Sequence, residues 1–175
     1  MLIACGEVAA MIRLLALITA LANATPGFAQ EAVGCDKFKW RLDDEKALLA
    51  TATPAPSGGQ AAQASGTAIK LLLLPLAEAN LPSEPSRKPK SPDSYVGFVR
   101  LPAPPRPGVY RVTLSDPGWI DVIQEGRLLP SSGFTGALGC EGLRKSVKFD
   151  LSATPLVIEI TDAGAREIRF VLTPE

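Results

Sequence analysis

The sequence predicts an all-β protein, an antiparallel β-sandwich of jelly-roll or Ig-like kind preceded by a short irregular or helical N-terminal segment. Two observations carry this. Apolar and polar residues alternate with a period of two through several segments of the C-terminal half, as strands do when one face meets a core. These segments recur at roughly ten-residue spacing with turn residues between them, the rhythm of a sandwich rather than of βαβ units.

The chain begins with material that belongs to export. Met11-Ile12-Arg13 precedes the apolar run Leu14–Ala22, and Asn23-Ala24-Thr25-Pro26-Gly27-Phe28-Ala29-Gln30 follows. A positive charge, a short apolar stretch and a small-residue exit make residues 1–29 a secretory signal peptide cleaved after Ala29, with Ala24 as the other candidate. The run falls short of the ~20 apolar residues of a membrane span. Glu7 sits badly in a positive leader, so Met11 offers an alternative start. The expected location is periplasmic or secreted, with no membrane span after cleavage.

Residues 30–66 form an N-terminal segment and a flexible loop. Phe38, Trp40 and Leu42 alternate as in a short strand, and Asp43-Asp44-Glu45 ahead of Lys46-Ala47-Leu48-Leu49-Ala50 predicts one or two helical turns. Thr51–Gly66 is rich in Ala, Gly, Ser, Pro and Gln and reads as loop. Residues 67–175 are the sandwich, in one domain with 35–50. Ala68–Leu76 is a Leu-rich strand buried on both faces, and Pro75 argues against a helix there. Leu81–Pro92 holds four prolines and reads as an exposed loop; Tyr95–Leu101 is a strand and Pro102–Pro107 a connector. Tyr110, Val112 and Leu114 share one face, with Arg111 and Thr113 on the other. Ser115-Asp116-Pro117-Gly118 is a turn, Trp119–Gln124 a strand, and Ser131–Gly139 a Gly-rich loop. Val147, Phe149 and Leu151, then Leu156, Ile158 and Ile160, then Ile168, Phe170 and Leu172 complete the inward set, each with a wet opposite face.

Eighteen basic residues balance eighteen acidic ones, and the leader removes one of each, Arg13 and Glu7. That argues against nucleic acid or an anionic membrane surface as partner. Of three cysteines, Cys5 leaves with the leader. Cys35 and Cys140 remain and, in an oxidising compartment, are expected to bond to each other. The chain has no histidine. This excludes Ser-His-Asp and Cys-His catalysis and His-bearing metal sites, and leaves carboxylate or Ser-Lys chemistry. No metal or cofactor is expected.

The stretch Gly108–Pro174 resembles the pre-peptidase C-terminal type of secreted β-sandwich. The likeness rests on Gly-Val-Tyr-Arg-Val-Thr-Leu-Ser, Trp-Ile-Asp-Val, Arg-Lys-Ser-Val-Lys-Phe-Asp-Leu and Pro-Leu-Val-Ile-Glu-Ile. The whole chain is similar to a family of short exported proteobacterial proteins, some labelled homogentisate dioxygenase. That enzyme family uses a cupin iron site of two His and a Glu. This chain has no His to match, so the activity is not carried over.

Trp119 and Asp121 share a strand face and are the candidate binding residues, Trp119 to stack on a ligand and Asp121 to accept its hydrogen bonds. The structural alternative packs Trp119 over the sheet edge with Asp121 bonded to a neighbouring loop. Arg144, Lys145, Lys148 and Arg169 read as cross-strand ion pairs with Asp150, Glu159 and Glu167 rather than as a basic patch. Gly133, Gly136, Gly139 and Gly142 lack the Gly-Lys-Ser/Thr of a phosphate loop. The function expected is a non-enzymatic accessory or binding module of the bacterial periplasm, its partner a cell-envelope glycan or protein. The alternative is a carboxylate-based hydrolase of a cell-envelope glycan. That needs two acids about 5–9.5 Å apart in a cleft, and Asp121 with Glu141 are the available pair.

Overall fold

Why the inward-facing sets cohere is plain once they are placed opposite one another. The protein is described by a computed structural model over residues 31–175; the expected signal peptide and its cleavage site lie outside the described residues. After a 3-10 turn at Cys35–Lys37 come helix α1 (Asp43–Ala50), β1 (Thr53–Pro56), β2 (Gly59–Gln60), β3 (Ala68–Leu72), β4 (Leu74–Pro75) and a second 3-10 turn, Leu76–Glu78. There follow β5 (Tyr95–Leu101), β6 (Gly108–Leu114), β7 (Trp119–Gln124), β8 (Arg127–Leu128), β9 (Ser131–Gly136), β10 (Lys145–Leu151), β11 (Leu156–Ala163) and β12 (Glu167–Pro174). One sheet runs β1-β3-β12-β6-β10-β9. The other runs β2-β5-β11-β7-β8, with β4 added against β5.

The two sheets pack as a sandwich. Tyr110, Val112, Leu114, Val147, Phe149, Leu151, Ile168, Phe170 and Leu172 of the first sheet meet Leu156, Ile158, Ile160, Val99, Leu101, Ile120 and Val122 of the second in one buried cluster. Every residue that period-two alternation placed inward on β6, β10, β11 and β12 is in it.

Four segments differ from expectation. Ala68–Leu76 is not one strand buried on both faces but divides into β3 and β4 in different sheets, with Leu72 and Leu74 exposed. Thr51–Gly66 supplies β1 and β2, which pair in parallel with β3 and β5, so the sheets are mixed rather than wholly antiparallel. Short edge strands need few ladder bonds, which is why Pro54 and Pro56 are tolerated in β1. Ser131–Gly136 is the edge strand β9, invisible to periodicity because it sends no regular apolar row inward. Phe38, Trp40 and Leu42 do not form a strand; they pack with α1 instead.

Nor are the outer faces wet throughout. Helix α1 covers the outer face of the first sheet, where Leu42, Leu49, Ala68, Cys140, Leu143 and Val171 form a second buried cluster. The acids Asp43, Asp44 and Glu45 favour its N-terminal turn. Glu45 is buried: it receives the guanidinium of Arg111 at 2.8 Å and the hydroxyl of Thr173 at 2.9 Å. Removing one member of a buried ion pair strands the other, so Glu45→Ala is expected to lower stability by about 3 kcal/mol in urea unfolding. Glu45→Gln keeps the acceptor for Thr173 and is expected to lose less.

Cys35 and Cys140 are bonded, with Cα atoms 4.9 Å apart and a sequence separation of 105. Gly139 and Gly142, at φ 68° and 71°, turn the chain on either side of Cys140 through backbone space that side chains disfavour. The bond is reinforced by a parallel bridge of Val33 with Leu138, whose carbonyl accepts the Gly34 amide at 2.8 Å.

Candidate binding site

Strand β7 lies between β11 and β8, and its alternation sends Ile120 and Val122 into the core and Trp119, Asp121 and Ile123 to the outer face. Over that face the Pro-rich segment 81–92 folds as a roof. Two carboxylates hold it. Asp121 accepts the Ser86 amide at 3.1 Å, the Ser86 hydroxyl, and the Trp119 indole N–H at 3.1 Å. Asp162 accepts the Arg87 guanidinium and the Lys90 amide, each at 2.7 Å. Asp162 sits at φ 59°, where the β11–β5 register shifts between Ile160 and Ala163. The irregularity re-aims the strand at the point where the roof is tied down. Arg87 is thereby stacked on the Trp119 ring, 4.1 Å from its centroid.

Asp121 thus bonds a neighbouring loop, and Trp119 lies beneath a cation at the sheet margin. Asp121→Ala frees Ser86 and the indole together. The expected result is a loss of about 2 kcal/mol on unfolding and a red shift of tryptophan emission as the roof loosens.

The carboxyl neighbour of Asp121 is its cross-strand partner Glu159, not Glu141. Glu141 is exposed and lines a hollow with Lys46, Ala50 and Arg169 on the α1 side of the sandwich. Glu159 is fully buried, and neither carboxyl oxygen has a hydrogen-bond partner. Burial, then the nearby charge of Asp121, push its pKa up to about 7; the Ser83 backbone amide opposes this in part without reaching good hydrogen-bond geometry. Sequence alternation put Glu159 on an outward face, and the missing information was that segment 81–92 closes over it.

The cations expected to form a cross-strand ladder diverge. Arg144 pairs with Glu31, and Lys148 with Glu175 while lying over Trp40. Glu167 pairs with Lys70 at 3.7 Å. Asp150 and Glu159 form no ion pair among the described residues, and neither does Arg169. Lys145 shares its parity on β10 with Val147 and Phe149, so it points toward the space between the sheets.

There the sandwich opens. Between the β7–β8 and β9–β10 margins lies an apolar cavity of about 520 Å³, with Ile120, Val147 and Phe149 inside, Leu128, Leu129 and Pro130 along one wall, and Asp121 and Ser86 at one end. A second, more polar cavity of about 580 Å³ adjoins it, lined by Arg87, Lys90, Arg144 and Asp162 among others. Trp119, Phe134 and Lys145 border both. Phe134 is 50% exposed, unusual for so large an apolar side chain. Leu128 and Phe134 carry no motif that sequence reading could have caught.

Among the described residues no three His, Cys, Asp or Glu side chains are placed to hold a metal ion, and no helix is long and apolar enough to cross a membrane. No protein-family model, curated protein or solved structure matches the chain, so its chemistry is read from these side chains themselves.

Proposed function

We propose that the protein is an exported, non-enzymatic β-sandwich binding module of the bacterial periplasm that takes its ligand at the Trp119 cleft. The observation that carries this reading is the meeting, at Trp119, of an apolar inter-sheet cavity and a cation-lined one, with a half-exposed aromatic at the rim. Cavities of this size, mostly apolar with a few polar groups, are where small ligands bind. The leader and the Cys35–Cys140 bond favour an oxidising compartment. The hydrolase reading is weaker. Its pair Asp121 and Glu141 lie on opposite sides of the sandwich, and Glu159, the acid that does adjoin Asp121, is sealed from solvent.

The test uses protein recovered from a bacterial periplasm. Mass spectrometry should show Gln30 as the first residue, and full-length protein held in the cytoplasm would end the export part. Native spectra should show a non-covalent small-molecule adduct that Leu128→Glu, a change at the rim of the cavity, removes. Turnover of peptidoglycan by the purified protein, or an adduct indifferent to Leu128→Glu, would overturn the binding reading.

A further inference from the structure

We infer that the ligand of the Trp119 cleft is a small amphipathic carboxylate, its apolar chain lodged between the sheets and its carboxylate on Lys145. This rests on the binding-module reading and adds the ligand's chemistry to it. The apolar end is set by Ile120, Val147, Phe149 and Leu129, contributed by both sheets and by the β8–β9 connector. An alkyl or aryl chain placed there extends the sandwich core, with a gain proportional to the apolar area it removes from water.

The polar end is set by what Lys145 lacks. Of the other cations nearby, Arg87 is engaged with Asp162 at 2.7 Å and Arg144 with Glu31, while the Lys90 side chain is exposed to solvent. The Lys145 side chain forms no ion pair and no hydrogen bond to any described residue, although the residue is partly buried. Its ammonium stands 5.6 Å from the centroid of the Trp119 ring. The acceptor capacity of Asp121 is largely taken by Ser86 and the indole. A partly desolvated ammonium with no counter-ion, at the mouth of an apolar slot, is complementary to one negative charge on an apolar body.

The titration of Lys145 agrees with this geometry. Burial first, then Arg87 and Arg144, push it down to about 8, while Asp121 and Asp162 act in the opposite sense. A bound carboxylate stabilises the protonated form, so affinity should weaken as pH rises above about 8.

The experiment is isothermal titration calorimetry at pH 7 with three probes of one chain length: octanoate, octanol and octylamine. A fourth, 4-phenylbutyrate, separates an aryl source from an alkyl one. Octanoate or phenylbutyrate should bind about tenfold more tightly than octanol, and octylamine most weakly. Lys145→Met should bind octanol as before and lose the preference for the carboxylate, while Lys145→Arg keeps it. Leu128→Glu, exposed and safe for folding, should weaken octanoate about tenfold by placing a negative charge at the rim. Equal affinity for octanoate and octanol overturns the inference, as does a preference that survives in Lys145→Met. If none of the four probes binds but the periplasmic adduct persists, the carboxylate assignment falls and the binding module stands.

Discussion

Reduction of the Cys35–Cys140 bond is expected to lower the unfolding free energy by about 4–5 kcal/mol. The figure follows from the 105-residue separation the bond spans, because closing so long a loop removes much of the unfolded chain's freedom. A compact unfolded state would make it smaller. The native side of the effect is local. The bond fastens residues 31–42 to the turn at Gly139–Gly142, and with them the cluster of Leu42, Leu49, Leu143 and Val171 that covers the first sheet. Urea unfolding of the oxidised protein and of Cys35→Ser/Cys140→Ser should show a lower midpoint in the variant. The Gly34 and Leu138 amides should also lose protection from hydrogen exchange before the core strands do. Unchanged midpoints, or two reactive thiols in the native exported protein, would contradict this.

A second large effect depends on pH and belongs to Glu159. Its ordinary pKa of 4.5 is raised to about 7 in the folded protein. Below about pH 4.5 the group is protonated whether the chain is folded or not, and it contributes nothing to pH dependence. Between 4.5 and 7 the unfolded chain releases the proton and the folded chain retains it, so stability falls as pH rises. Above 7 the loss is complete, at most about 3 kcal/mol. Lys145 acts in a separate window. Pushed down to about 8 from 10.5, it releases its proton earlier in the folded state, so its contribution rises with pH between those values. Glu159→Gln, which copies the protonated form, should match the wild type at pH 4 and exceed its stability at pH 8, flattening the profile. Asp121→Asn should shift the Glu159 transition to lower pH by removing the charge that adjoins it. A Glu159→Gln variant with the wild-type slope would contradict the assignment.

The sandwich was legible because its inner faces obey one rule. Tyr110 to Leu114, Val147 to Leu151, Leu156 to Ile160 and Ile168 to Leu172 all alternate, and two faces with that pattern have to bury each other. The disulfide was legible because the expected leader takes Cys5 with it and leaves two cysteines. What alternation cannot report is what covers an outer face. Glu159, Thr161, Thr113 and Ser146 read as solvent-facing because they are polar, yet all four are buried. A polar residue is compatible with either fate, and the choice is made by segments distant in sequence. Trp119 and Asp121 were visible as a pair on one face. Lys145 was not distinguished from Arg144 and Lys148, because its separation from them depends on where β10 begins and on the gap left between the sheet margins.

The most direct measurement of the binding account is a two-dimensional ¹H–¹⁵N spectrum, in which the two tryptophan side chains, Trp40 and Trp119, each give an indole signal. Trp40 packs beside α1 and Lys148, on the outer side of the first sheet, and Trp119 borders the cleft. The spectrum is recorded during titration with octanoate, indole acetate, N-acetylglucosamine and a dialanine peptide in turn. Whichever probe binds is expected to move the Trp119 indole together with the amides of Leu128, Phe134 and Lys145, and to leave the Trp40 indole in place. Shifts centred on Trp40, with the Trp119 indole unmoved, would contradict the binding account.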